Sequence, residues 1–319
     1  MKEPESLQQA IVYFADMNNC IDYLALRRWP DGKVICPNCG SDSVSAYNSK
    51  RKTWKCAVHH PKREFSVKVG TLFEESPIGL DKWLAATWML TNCKNGISSY
   101  EIGRDLKVSQ KTAWFMLHRI RLSLQDEFFG SKLNGEVEVD ETFIGGKARN
   151  MHRKRWLKVR EQSGRRGADP KTIVMGLLQR DGKVKAMVIP ERKRPVVHGI
   201  VQEHVELGAN LNTDDASCYD GLNAYYAHEV INHMEGYVRG RVSTNGIENF
   251  WSLLKRGLGG TYVSVEPFHL FRYLDEQMFR YNNRATRDNP LTDADRFDAA
   301  VRNIVGKRIT FAELTGKPN

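Results

Sequence analysis

Over the first 130 residues the apolar positions change spacing twice, and each stretch predicts a different local structure. Over residues 5–29 the spacing predicts a short helix that carries Tyr13, Phe14, Leu24 and Trp29 towards a core. From Cys36 to about Phe73 it gives way to short β-type runs broken by turns, as in TWKCAVHHPKREFSV, which predicts a small β module. Residues 80–127 read as helical again in three pieces, beginning at Leu80, Ser98 and Ser109. Ser98 followed by Glu101 fits a capping box, and Ser109 is placed to cap the last helix. The last two pieces, separated by Lys107 and Val108, resemble a helix-turn-helix with Lys111, His118 and Arg119 on the outer face of its second helix. Ile102, Leu106, Ala113, Met116 and Ile120 would pack equally well in a helical linker bundle.

From residue 135 the pattern becomes strands followed by helices. GEVEVDETFIGG, KTIVMGLLQ and KVKAMVIP each read as a strand, and Asp181 with Gly182 forms a hairpin turn between the last two. A helix from about Pro195 to Leu207 follows, then a short strand ANLNTD, a helix around Tyr219 and an amphipathic helix from Asn245 to Arg256. Three antiparallel strands, then helix, strand and further helices, is the order of an α/β RNase H-like, integrase-type core. The sequence shows no internal repeat and no low-complexity tract.

Length and charge narrow the class. A chain of 319 residues, 41% hydrophobic, has material for two or three domains. Its 48 basic against 38 acidic residues favour a polyanionic partner through counterion release, with nucleic acid first. No stretch approaches the roughly 20 apolar residues of a membrane helix, and MKEPESLQQA lacks a signal-peptide pattern, so the expected location is the cytoplasm, and the nucleoid when bound to DNA. Of six cysteines only Cys36, Cys39 and Cys56 cluster, which suits metal binding better than disulfides.

Cys36 and Cys39 form a C-x2-C knuckle followed by Gly40, and Cys56 opens a second knuckle that ends in His59 or His60. Two tight turns that each present a pair can complete a closed, structural Zn2+ tetrahedron. His59, which keeps the x2 spacing, is the expected fourth ligand, with His60 the alternative in a wider loop.

Glu138, Asp140 and Glu141 stand among apolar residues of one strand, where carboxylates are costly unless paired or bound to cations. Asp214 ends a second strand beside Asp215. In TNGIENFWSLLKRG, Ile247, Phe250, Trp251 and Leu254 make a buried stripe, while Glu248, Ser252 and Lys255 share a neighbouring face. Each acid also has a plainer role: a strand-end ion pair for Asp140, a helix cap for Asp214, and for Glu248 the reciprocal member of a cap with Asn245. Three converging carboxylates are what two-metal phosphoryl transfer requires. His228 and His233 fit structural roles better than the site itself.

VEVDETFIGG, LNTDDASCY and NGIENFWSLLKRG, together with the ribbon, FSVKVGTLF and FRYLDEQMFRYNNR, resemble the bacterial insertion-sequence transposases of family 1595. The resemblance runs from about Cys36 to Leu314. It implies a zinc ribbon before a DDE-type core, with Asp140 as first acid, Asp214 as second, and the third in the NGIE segment. That third position varies between Glu and Asn in the family, and this chain offers both Asn245 and Glu248. A family lysine maps to Lys255, and the second knuckle departs from the more usual cysteine pair.

The resulting expectation is a DNA transposase, with Mg2+ or Mn2+ at Asp140, Asp214 and Glu248 and Lys255 on phosphate. Its partners would be double-stranded DNA, as element ends and target, and a second copy of the chain on paired ends, with no membrane. Arg153, Lys154 and Arg155 in the basic insert from Lys147 to Lys171, and Arg280 and Arg284 in RYNNR, are candidate phosphate contacts. The expected divisions are an N-terminal helix 1–29, a ribbon 30–78, a helical DNA-binding segment 79–130, a catalytic domain 131–285 and a C-terminal tail 286–319. A DNA-binding regulator would keep only residues 30–127 of this scheme, and a structure-specific nuclease would keep the acids without joining ends.

Overall fold

Asp16 divides the first predicted helix in two. In the computed structural model, which describes residues 2–125, 130–146, 152–154, 156–157, 171–180, 182–231 and 243–316, α1 (Leu7–Phe14) starts at the Ser6 cap and α2 (Met17–Arg28) at Asp16. Asp16 is extended, and its side chain accepts the Asn18 N–H, so the chain restarts a helix instead of continuing one. The chain folds as two units, one of Met1–Gln125 with Asn283–Asn319 and one of Asp126–Asn282.

In the first unit, β1 (Trp54–Lys55) pairs antiparallel with β2 (Glu64–Phe65). Three helices follow: α3 (Leu80–Asn92), α4 (Ser99–Asp105) and α5 (Gln110–Ser123). Ser98 and Glu101 form the full capping box, and Ser109 caps α5 through the Thr112 N–H. The α4–α5 turn passes close to Gly103, where a Cβ would lie a tight 3.1 Å from the Val108 carbonyl oxygen.

The second unit is built on one mixed sheet. Its strands are β3 (Glu136–Ile144), β4 (Thr172–Gln179), β5 (Val184–Ile189), β6 (Asn210–Asp214) and β7 (Ala227–Ile231), in the order β5-β4-β3-β6-β7. β3, β4 and β5 pair antiparallel, whereas β6 runs parallel to β3 and β7 parallel to β6. The edge strand β7 is one the sequence pattern did not predict. Around Tyr219 the chain makes two short 3-10 turns, Ser217–Tyr219 and Leu222–Ala224, in place of the expected helix.

The two-residue alternation of β3 divides its side chains between the sheet's faces. Val137 and Val139 enter one core with Leu177, Leu211 and Tyr219, closed by Val197 and Val201 of α6 (Arg194–His204). Glu138 and Asp140 face the other side, where α7 (Asn245–Arg256) lays Ile247, Phe250, Trp251 and Leu254 on Val174 and Leu178. A π-helical segment, Gly257–Tyr262, leads from α7 towards α8 (Leu270–Asn282), which adds Leu270, Leu274, Met278 and Tyr281 to that second core.

Near the C-terminus the chain makes α9 (Asp293–Arg302) and α10 (Phe311–Thr315) within the first unit, started by Thr292 and Thr310 caps. Phe297 of α9 is fully buried, with its ring 5.7 Å from Phe14, 5.5 Å from Tyr23 and 4.9 Å from Trp88, centroid to centroid. Among the described residues no helix is long and apolar enough to cross a membrane.

Candidate active site and metal centre

Asp140 and Asp214 come together because their strands are parallel neighbours. The last β3–β6 pair is Glu138 with Asn212, and each aspartate lies two residues further along its strand. The two acids thus lie where β3 and β6, both inner strands, part from each other. Burial pushes the Asp140 carboxyl up to about 6, and the negative charges of Glu141 and Asp214 add to the effect, against the indole N–H of Trp251, which favours the anion. Asp214 is engaged at both oxygens: the Ala216 N–H donates to Oδ1 at 3.1 Å and Arg192 Nη2 to Oδ2 at 3.3 Å.

Close packing of α7 sets the other wall. Asp140 pairs with Gly176 across β3–β4, and a Cβ at 176 would stand 2.5 Å from Trp251 Cζ2. Glycine there lets the indole lie on the sheet and donate from Nε1 to Asp140 Oδ2 at 3.0 Å. Gly246 makes the same allowance, since a Cβ would come within 2.8 Å of Glu138 Oε2. Glu138 in turn accepts the Ile247 N–H at 2.9 Å and Arg180 Nη2 at 3.2 Å, so a buried carboxylate ties the N-terminal turn of α7 to β3.

The third-acid candidates lie on that same turn. Glu248 is half-buried and accepts a hydrogen bond from Thr244 Oγ1 at 3.0 Å. Asn245 is exposed as the first residue of α7, and Lys255 is exposed one turn beyond Trp251.

On the opposite face of β3, Glu141 is buried between Tyr219 and Arg192. The Tyr219 hydroxyl donates to Oε1 at 2.7 Å, and Arg192 Nε lies 2.7 Å from Oε2, close enough for an ion pair though off the line of a hydrogen bond. Burial raises the Glu141 carboxyl above the ordinary range, against Tyr219 and Arg192. Arg192 went unrecognised in the sequence; its only signal was its place in PERKRP, between a predicted strand and a predicted helix. His228 is bonded at 2.9 Å to the hydroxyl of Thr213, as befits a structural histidine; His233 lies outside the described residues.

In the first unit Cys36, Cys39, Cys56 and His60 hold their ligand atoms within 4.8 Å of one another. Cys39 Sγ lies 3.6 Å from Cys56 Sγ, and Cys36 Sγ lies 3.4 Å from His60 Nε2. Tetrahedral zinc with bonds of about 2.3 Å to sulfur sets its ligands roughly 3.6–3.8 Å apart, so the group fits zinc. The expectation of His59 is corrected: His59 is exposed and His60 completes the set. The Cys56 N–H bonds back to the Arg63 carbonyl, which makes residues 57–62 the closing loop and leaves the long imidazole of His60 on its return limb to reach the thiols.

The basic candidates separate by burial. Lys111 is exposed on α5, its ammonium 4.9 Å above the Phe311 ring. Arg119 and His118 are not on an outer face: both are buried, with Arg119 bonded to the Glu74 carbonyl at 2.9 Å and set over Trp83 and Phe115. Arg280 is likewise not available to phosphate, because it is sequestered against Glu276 and Gln277 within α8. Arg284 is half-buried. Arg153 and Lys154 are exposed, and Arg155 lies outside the described residues, as does most of the insert.

Residues 132–282 match the ISXO2-like transposase domain and residues 16–58 the transposase zinc-ribbon domain, the latter ending just short of His60. An uncharacterized protein in transposable element ISH50 of Halobacterium salinarum is 29% identical over 279 residues, 84% of this chain and 93% of that protein. Among solved structures, a simian T-cell lymphotropic virus intasome in complex with PP2A regulatory subunit B56 gamma aligns over 63% of this chain and 70% of that one. Its TM-score of 0.31 and 11% identity are too low to carry an argument.

Proposed function

We propose that this chain, which belongs by both matched domains to the insertion-sequence transposases of family 1595, cuts DNA at the ends of an element and joins the freed 3′-hydroxyls to target DNA. What supports this chemistry most is the placement of Asp140 and Asp214 on adjacent parallel strands, each two residues beyond the last β3–β6 pair, with Asp140 buried enough to push its carboxyl up to about 6. Two acids held together against their own repulsion suit a divalent cation. The sheet order, three antiparallel strands and then two parallel ones, supports an RNase H-like reading of the core.

Asp140 and Asp214 would hold Mg2+ or Mn2+, with Glu248 from α7 completing the site. A bound cation of this kind supplies Lewis acidity at the phosphodiester and a more acidic attacking hydroxyl. In the first step a water oxygen bonds to phosphorus and the P–O3′ bond breaks, leaving a 3′-hydroxyl. In the second that hydroxyl attacks a target phosphate and a target P–O3′ bond breaks. Both are in-line displacements at a phosphodiester, so one site serves both. The chain's own part is to orient: Trp251 fixes Asp140, Glu138 fixes the turn that bears Glu248, and Lys255 would meet a DNA phosphate. The zinc ribbon, α4–α5 with Lys111, and Arg153 and Lys154 would bind the element's ends.

The test is end cleavage on duplexes that carry the element's ends. The double variant Asp140→Asn, Asp214→Asn should bind DNA and cut none; cutting by that variant would overturn the assignment. Glu248→Gln should lose turnover with Mg2+, whereas Asn245→Ala should lose much less, because a hard cation prefers a carboxylate to a neutral amide oxygen. The reverse order would make Asn245 the third ligand.

A further inference from the structure

Arg192 belongs to none of the acids assigned above, yet it touches two carboxylates from two strands. It lies between the end of β5 and the start of α6, with its side chain 32% exposed. Its Nε is 2.7 Å from Oε2 of Glu141, whose side chain is only 1% exposed. Its Nη2 reaches Asp214 Oδ2 at 3.3 Å. Glu141 is itself held from the other side by the Tyr219 hydroxyl. The result is a chain of fixed groups, Tyr219 to Glu141 to Arg192 to Asp214, that ends on the carboxylate expected to hold the cation.

We propose that Arg192 is a positioning residue for Asp214, and that Glu141 is its buried anchor. With Arg192 on Oδ2 and the Ala216 N–H on Oδ1, the Asp214 carboxylate is fixed in plane and in rotation before any cation arrives. A planar guanidinium can serve two carboxylates with separate N–H groups, which a lysine ammonium on a flexible stem does not reproduce. Groups that orient metal-binding carboxylates in this way commonly set affinity or activity by about 10- to 100-fold. The opposite role would be a counterion that competes with the cation, and the two make opposite forecasts.

This inference rests on the proposed cation site at Asp140 and Asp214, so the experiment tests both separately. Binding of Mn2+ to the full-length, zinc-loaded protein is followed by electron paramagnetic resonance, with thermal melting as the check on folding. Wild type should bind Mn2+ and Asp214→Asn should not; if wild type does not bind, or Asp214→Asn binds equally, the site itself is misassigned. Arg192→Gln should weaken Mn2+ binding by about 10- to 100-fold. Arg192→Lys should recover little of the loss, and Glu141→Gln, which keeps an acceptor for Tyr219 but lets the arginine go, should weaken binding in the same direction. Equal or tighter Mn2+ binding by Arg192→Gln, with the aspartate control behaving as expected, overturns the positioning role. Should that variant fail to fold, Arg192→Lys decides in its place: affinity equal to wild type would overturn the proposal.

Discussion

The indole N–H of Trp251 reaches Asp140 Oδ2 across 3.0 Å from a ring that lies where any side chain at position 176 would stand. Sheet and helix are therefore fitted to each other at the acid itself.

Two substitutions separate the fit from the hydrogen bond. Gly176→Ala would place a Cβ 2.5 Å from the indole and force α7 outward; overpacking of this kind costs about 1–3 kcal/mol. Trp251→Phe keeps an aromatic ring and removes the donor to a carboxylate, at about 1.5–3 kcal/mol. Urea unfolding should show both losses, and both variants should cut DNA more slowly. Unchanged stability in Gly176→Ala would mean that the close contact is not present in solution.

Asp140 should make the protein less stable as pH rises in buffer without Mg2+ or Mn2+. Its folded value, about 6, lies above the ordinary aspartate value of about 3.9, so between them the folded state binds more protons than the unfolded one. Its contribution to stability is thus greatest below about pH 4 and falls away through pH 6, by on the order of 3 kcal/mol. Asp140→Asn removes this dependence and should melt several degrees higher than wild type at pH 7 while being inactive. Melting curves of the pair from pH 4 to 8 isolate this carboxyl from Glu141, which is raised in the same direction. A variant that melts lower than wild type at pH 7 would contradict the burial argument.

Zinc removal should act on the N-terminal module first. Structural zinc contributes on the order of 10 kcal/mol in small ribbons, so Cys36→Ser should unfold that module and release the ion. His60→Ala should lose zinc and His59→Ala should keep it, as read by metal analysis of protein purified without chelators. Zinc lost from His59→Ala but kept by His60→Ala would restore the x2 spacing as the correct reading.

What could be read in the sequence depended on how strictly the environment dictated each residue. β3 was legible because its valines fill one core while Glu138 and Asp140 face the other side, which imposes alternation on VEVD, and α7 because it buries a single 3.6-residue stripe in NGIENFWSLL. β7 was not, because Ala227, Glu229 and Val230 are exposed on an edge strand and carry no alternating signal. α9 was hidden by its polarity: DADRFDAAVR buries only Phe297, Ala300 and Val301. Arg119 misled because a charged residue in a helical repeat reads as an outer face, whereas here its stem and guanidinium are buried over aromatic rings. Arg192 was illegible for another reason, as its partners Glu141 and Asp214 are distant in sequence and meet only once the sheet forms.

Strand joining is the reaction that separates a transposase from a nuclease or a DNA-binding regulator. Duplexes ending in the element's terminal sequence with a ready-made 3′-hydroxyl are mixed with supercoiled plasmid, protein and Mg2+ or Mn2+, and the products are sequenced across the junction. Wild type is expected to join the 3′-hydroxyl covalently to the plasmid, whereas Asp214→Asn should bind the same DNA and join none. Joining by Asp214→Asn at the wild-type rate, or cutting without joining by the wild type, would contradict the proposed function.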